Sequence, residues 1–250
     1  MKQIAISPCS NPELELEPAL REYAALGFGQ FEGFSSWARS ALDYRRDPAA
    51  YASLAARYGM RFSSYHLPPV TEDVEESLQE AIAAARFAKE LGAGVVLFKA
   101  KTRPLYIAAA KPFLDATADL GITPVLQNHA GTAISTLADF REVIAGIGDA
   151  RMKTLLEVGH FHSVGVSWRE GCELLAESIA LVHIKDQIGA QSVPFGTGEI
   201  DLPGLFAHLR SVDYRGNIVV EMEVKDSENT LRYLAGAHDY LQRYWAKPGT

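Results

Sequence analysis

The chain has 250 residues, 48% of them hydrophobic, and a formal net charge of -7 from 24 basic and 31 acidic side chains. Charges of both signs are spread along it, so no basic stripe points to nucleic acid and no acidic tail points to disorder. No run approaches the roughly 18 apolar residues of a membrane span, MKQIAISPCS is too short for a secretion signal, and the lone pair Cys9 and Cys172 makes neither a disulfide framework nor a zinc motif. A cytoplasmic protein acting on a small molecule, without nucleic acid or membrane, is the expectation.

Short apolar runs alternate with longer amphipathic stretches along the whole chain. In chain order, the periodicity predicts strands over 3–7, 31–34, 61–66, 94–99, 123–128, 153–158, 181–185 and 217–222. Helices are predicted near 17–27, 47–58, 72–91, 103–120, 135–146, 167–178, 203–210 and 227–243. The third helix is the clearest, with Thr71 as the expected N-cap, acids in its first turn, Lys89 in its last and Gly92 beyond. Leu26-Gly27, Tyr58-Gly59, Leu91-Gly92 and Leu120-Gly121 repeat one pattern of helix end, glycine and next strand. Eight β-α units without a linker predict an α/β fold, a (β/α)8 TIM barrel filling residues 1–250 as one domain. A doubly wound open sheet is the alternative, but SPCSNPE after the first strand offers no glycine-rich phosphate turn.

In such a barrel the active site lies where the strands end. The predicted strands bring Glu32, His66, Lys99, Gln127-Asn128-His129, Glu157 with His160, His183 with Lys185 and Asp186, and Glu221 with Glu223 to those ends. Any one of these has an ordinary structural reading. Their convergence on seven consecutive strands points to chemistry. Oxygen and imidazole ligands from Gln127, Glu157, His183 and Glu221 suit a divalent metal such as Mn²⁺, Mg²⁺, Co²⁺ or Zn²⁺. Glu223 shares a strand face with Glu221 and competes for its role. His66, Lys99, Lys185 and Glu32 are the expected substrate contacts.

LLEVGHF, VHIKD and FGTGEIDLPGLFAHLRSVDYRGNIVVEME then carry a resemblance over essentially the full length. The chain resembles the xylose isomerase-like barrel family, sugar isomerases and epimerases with AP endonuclease relatives. The resemblance places the family's metal ligands at Gln127, Glu157, His183 and Glu221, with His160 as the partner histidine of the sixth strand. Two positions depart from the usual pattern: Glu157 stands for an aspartate, and Gln127 for a glutamate. Family epimerases resemble a two-base device in which the glutamates of strands 5 and 8 face opposite sides of the substrate. An amide cannot take a proton near pH 7, so Gln127 argues for one-base chemistry with Glu221 as base and His160 as catalytic partner. The three-zinc endonuclease branch is disfavoured, because strand 4 offers Lys99 and QIGAQSVPFGTG holds neither His nor Asp.

What the resemblance implies is a metal-dependent isomerase or epimerase acting on a keto sugar or related α-hydroxycarbonyl compound. A lyase or dehydratase on a keto or dehydro sugar is the alternative, and a barrel that has lost its chemistry is a third reading kept open by Gln127. Many members of that family associate, so a homo-oligomer is compatible with the resemblance.

Overall fold

The computed structural model describes residues 2–246. Its strands are β1 (Ile4–Ile6), β2 (Gln30–Phe34), β3 (Arg61–His66), β4 (Val95–Leu97), β5 (Thr123–Gln127), β6 (Lys153–Glu157), β7 (Ile179–Ile184), β8 (Asp186–Ile188), β9 (Gln191–Val193) and β10 (Asn217–Val220). Eight of them close a parallel barrel in the order β1-β10-β7-β6-β5-β4-β3-β2, while β8 and β9 form a small antiparallel hairpin outside it. The helices are α1 (Leu16–Ala25), α2 (Pro48–Arg57), α3 (Val74–Leu91), α4 (Arg103–Ala116), α5 (Leu137–Ile147), α6 (Val158–Ser163), α7 (Trp168–Leu175), α8 (Leu202–Ser211) and α9 (Thr230–Leu241). Each predicted strand and helix falls on one of these. Among the described residues no helix is long and apolar enough to cross a membrane.

Several boundaries shift by a few residues, two of them for plain local reasons. Asp73, not Thr71, caps α3, its carboxylate accepting from the Glu76 backbone N–H. The fourth helix stops at Ala116 rather than near 120, where the Thr117 hydroxyl bonds back to the Phe113 carbonyl. The expected stop after α3 holds: Gly92 sits at φ 93°, a left-handed conformation open to glycine at little cost.

The barrel interior explains how the site is placed. Ala5, Leu97, Val125, Leu155, Leu181 and Val219 point inward and form an apolar layer of their own, separate from the larger core between strands and helices. Side chains two residues apart share a strand face. The next inward positions towards the C-terminal ends are therefore Lys99, Gln127, Glu157, His183 and Glu221. One dry layer of aliphatic side chains thus supports a polar layer above it. The fold predicts that Leu155→Ala costs about 2–5 kcal/mol in denaturant unfolding, the range for a large-to-small change in a packed core; a loss under about 1 kcal/mol would mean the layer is not close-packed.

Candidate functional site

The polar layer gathers around one group of donors. Glu32, His66, His183 and Glu221 are all buried, and one ligand atom from each lies within 4.8 Å of the others. Glu32 joins through an irregularity in β2. Phe31 pairs with Phe62, but Glu32 pairs with Ser64, so the register slips by one residue between them. Bulges of this kind re-aim a side chain. The inward carboxylate then accepts from the Ser64 hydroxyl at 2.7 Å and from His183 Nε2 at 3.1 Å.

The rest of the cluster is close without being hydrogen-bonded. His66 Nε2 lies 3.1 Å from Glu32 Oε2, and His183 Nδ1 lies 3.1 Å from Glu221 Oε1. Yet Glu32 Oε2, His66 Nε2 and His183 Nδ1 are buried atoms with no hydrogen-bond partner among the described residues. If His183 donates through Nε2 to Glu32, its Nδ1 lone pair faces a carboxylate oxygen. Two lone pairs at that distance repel unless a proton or a cation lies between them. Ligands bound at about 2.1 Å in a tetrahedral shell stand about 3.4 Å apart, close to the separations seen here. Two carboxylates and two imidazoles therefore fit a divalent ion, with the mixed N/O set suiting Zn²⁺, Co²⁺ or Mn²⁺.

The electrostatics follow from burial against charge. For Glu32, burial raises the pKa, but the rings of His183 and His66 outweigh it and hold the carboxyl well below its usual range. Glu221 is also held low: burial raises it, and His183 and Lys185 more than offset that. His183 is pushed up to about 10, because Glu32 and Glu221 on either side overcome the effect of burial. Burial instead dominates at His66, down to about 4, and at Lys99, down to about 8.

The other expected residues are distributed as follows. Gln127 lies half-buried in the wall of the cavity, and its side chain makes no hydrogen bond among the described residues. Glu157 is fully buried and pairs in register with His183, but its carboxylate turns to the start of α6, accepting from the Gly159 and His160 backbone N–H groups. Burial raises its pKa to about 7, against the pull of Lys185. Lys185 is fully buried, with Nζ 2.6 Å from Glu223 Oε2, 3.2 Å from Glu221 Oε2 and 3.7 Å from Glu157 Oε1. Lys99 Nζ lies 3.3 Å from His66 Nδ1, and the His160 and His129 rings contact each other at a tilt of 35°, with centroids 3.7 Å apart.

A cavity of about 450 Å³ opens above this layer. His66 and Glu221 reach it from the donor group, joined by Lys99, Gln127, His160 and Glu223, with Phe34 and Trp37 on one wall. Three residues support the site in ways that a strand-end position alone does not reveal. The buried Asn128 amide bonds both the backbone N–H and the carbonyl of Glu157, at 2.9 and 2.8 Å. Ser64 holds Glu32, and no period-2 reading reveals a slip in register. Asp186 accepts from the backbone N–H groups of Gln187, Gly196 and Gly198, which accounts physically for the glycines of FGTGEID. A Cβ at Gly198 would stand 2.1 Å from the Asp186 carboxylate.

Fold and site define a parallel barrel with a ligand cluster at its C-terminal mouth, and known proteins share the barrel. The family model of the xylose isomerase-like TIM barrel matches residues 20–244, so the chain belongs to that family. An inosose dehydratase from Mesomycoplasma hyopneumoniae is 24% identical over 275 residues, covering 92% of this chain and 89% of the relative. A 3-keto-D-glucoside 4-epimerase from E. coli superposes with a TM-score of 0.77 at 16% identity, over 96% of this chain and 99% of that one. The IolI protein with a bound zinc atom superposes with a TM-score of 0.76 at 15% identity, over 98% of this chain and 100% of that one.

If the four converging donors hold the ion, Glu32→Gln and His183→Ala should each weaken Mn²⁺ binding at least tenfold by isothermal titration calorimetry. Unchanged affinity in both variants would remove this cluster from consideration.

Proposed function

We propose that the protein is a divalent-metal-dependent enzyme of isomerase or epimerase type. It moves a proton at the carbon beside the carbonyl of a keto sugar or related α-hydroxycarbonyl compound. One observation carries the reading: among the described residues, Glu221 is the carboxylate that both belongs to the four-donor group and lines the cavity. A base must reach the substrate, and Glu32, buried behind it, does not line the cavity. About 450 Å³ suits a single small molecule of sugar size.

The chain's own residues divide the work. Glu32, His66, His183 and Glu221 would hold the divalent ion, which supplies Lewis acidity towards a substrate carbonyl when bound. Glu221 is ionised and faces the cavity, ready to accept a proton. Lys99 offers an ammonium donor from the β4 side, and Lys101 lies beside it at the rim. Phe34 and Trp37, with ring centroids 5.8 Å apart, form an apolar wall that excludes water from one face of the substrate. His160 presents its ring from the opposite wall and, with a pKa pushed down to about 3 mainly by burial, is a neutral hydrogen-bond partner.

Gln127 decides which variant of this chemistry is favoured. It lines the cavity where a second base would stand, and an amide neither takes nor gives a proton near neutral pH. Proton transfer is then confined to the Glu221 side. That supports the second reading, a dehydratase that enolises a keto sugar and expels water from the neighbouring carbon. The near-full-length likeness to an inosose dehydratase favours the same variant. Both readings describe a cytoplasmic enzyme of small-molecule metabolism without a nucleic-acid partner, and both are compatible with a homo-oligomer.

Proton NMR in D₂O against a panel of ketoses and inososes tests the proposal. Wild-type protein loaded with Mn²⁺, then stripped by chelation before acquisition, should show solvent deuterium at a carbon beside the carbonyl. The product separates isomerase from dehydratase. Glu221→Gln should lower exchange by about 10²–10⁴-fold, the usual worth of a positioned base. Full exchange in that variant would transfer the role to Glu223.

A further inference from the structure

We infer that Lys185 is a built-in cation. Its ammonium, set among Glu157, Glu221 and Glu223, balances the β6 side of the site, and a divalent ion is confined to the side of Glu32, His66 and His183. The inference rests on the metal reading above but goes beyond it, because it takes Glu157 out of the ligand set that the family resemblance implies.

The geometry is specific. Lys185 is fully buried, although lysine is almost never buried unless it is paired. It reaches Glu223 at 2.6 Å, Glu221 at 3.2 Å and Glu157 at 3.7 Å. Its aliphatic stem lies on bare backbone: a Cβ at Gly159 would come within 2.3 Å of Lys185 Cγ and 2.5 Å of Cδ. The seat is therefore built by VGHF at the start of α6, and the lysine by VHIK at the end of β7. Glu157 is committed on both sides. Its backbone is clamped by Asn128, and its carboxylate caps α6 while facing the ammonium.

Charge balance points the same way. The site gathers four carboxylates: Glu32, Glu157, Glu221 and Glu223. With all four ionised, Lys185 and Lys99 supply two positive charges, and one divalent ion, taking the place of the proton on His183, supplies the other two. A metal drawn to Glu157 would approach the ammonium closely, at a high cost in so dry an environment. A metal between Glu32 and Glu221 has the His183 ring beside it and the unpaired atoms of Glu32 and His66 already aimed inward.

Counting Mn²⁺ bound per chain, from loss of the free-ion electron paramagnetic resonance signal, tests this. The wild type should bind one ion. Glu157→Gln should keep that affinity within about twofold. Lys185→Met should bind two ions, because Glu157 and Glu223 are left without their cation and Glu221 is left with a free oxygen beside them. A tenfold loss of affinity in Glu157→Gln overturns the inference, as does a stoichiometry that stays at one in folded Lys185→Met. If Lys185→Met does not fold, Glu157→Gln alone decides. A wild type that binds no Mn²⁺ would sink the metal reading of the function and the confinement of the ion with it, whereas a wild type that binds one ion together with either failed variant result would sink the inference alone.

Discussion

Burying like charge is the constraint around which this molecule is arranged. Glu32, Glu157 and Glu221 sit within the closed mouth of a barrel, out of water. An isolated carboxylate in such a place is very costly, and several together more so. Each therefore has a dedicated answer. Glu32 lies between His183, His66 and the Ser64 hydroxyl, Glu157 between the start of α6 and Lys185, and Glu221 between His183 and Lys185. His183 and Lys185, two residues apart on one strand face, are the common elements. One opens the cluster towards a metal, and the other closes it.

That division gives the cavity a direction. Glu221 and Glu223 form its acidic side, and Lys99 and Lys101 its basic side, with aromatic rings along one wall. A substrate with a carbonyl and neighbouring hydroxyls is oriented by such a field before any chemistry begins. Trp37 stands at the rim, 64% exposed and with a backbone φ of 80°. A left-handed conformation is a genuine outlier for a residue this bulky, and such strain concentrates where loops serve ligands.

Much of the fold was legible in the sequence. Parallel strands buried on both faces read as short apolar runs, and Gly27, Gly59, Gly92 and Gly121 mark the turns into them, all with positive φ. The residues at the mouth were legible too, because inward positions repeat every second residue along each strand. What could not be read was which of them meet. Glu32 and His66 were expected as substrate contacts, and only the slipped register of β2 brings Glu32 to His183. The resemblance puts Gln127 and Glu157 beside His183 and Glu221 as ligands. The structure places Gln127 in the cavity wall and gives Glu157 a helix terminus and an ammonium as partners. Strand order and periodicity carry the direction of a side chain, but the partner it finds depends on helix starts, register slips and bare glycines on neighbouring strands.

Anomalous X-ray diffraction from crystals grown with Mn²⁺ locates the divalent ion on which this arrangement turns. One peak per chain is expected in contact with Glu32, His66, His183 and Glu221, with Lys185 still between Glu157 and Glu221. A peak coordinated by Gln127 and Glu157, with Lys185 displaced from its seat on Gly159, would contradict this arrangement.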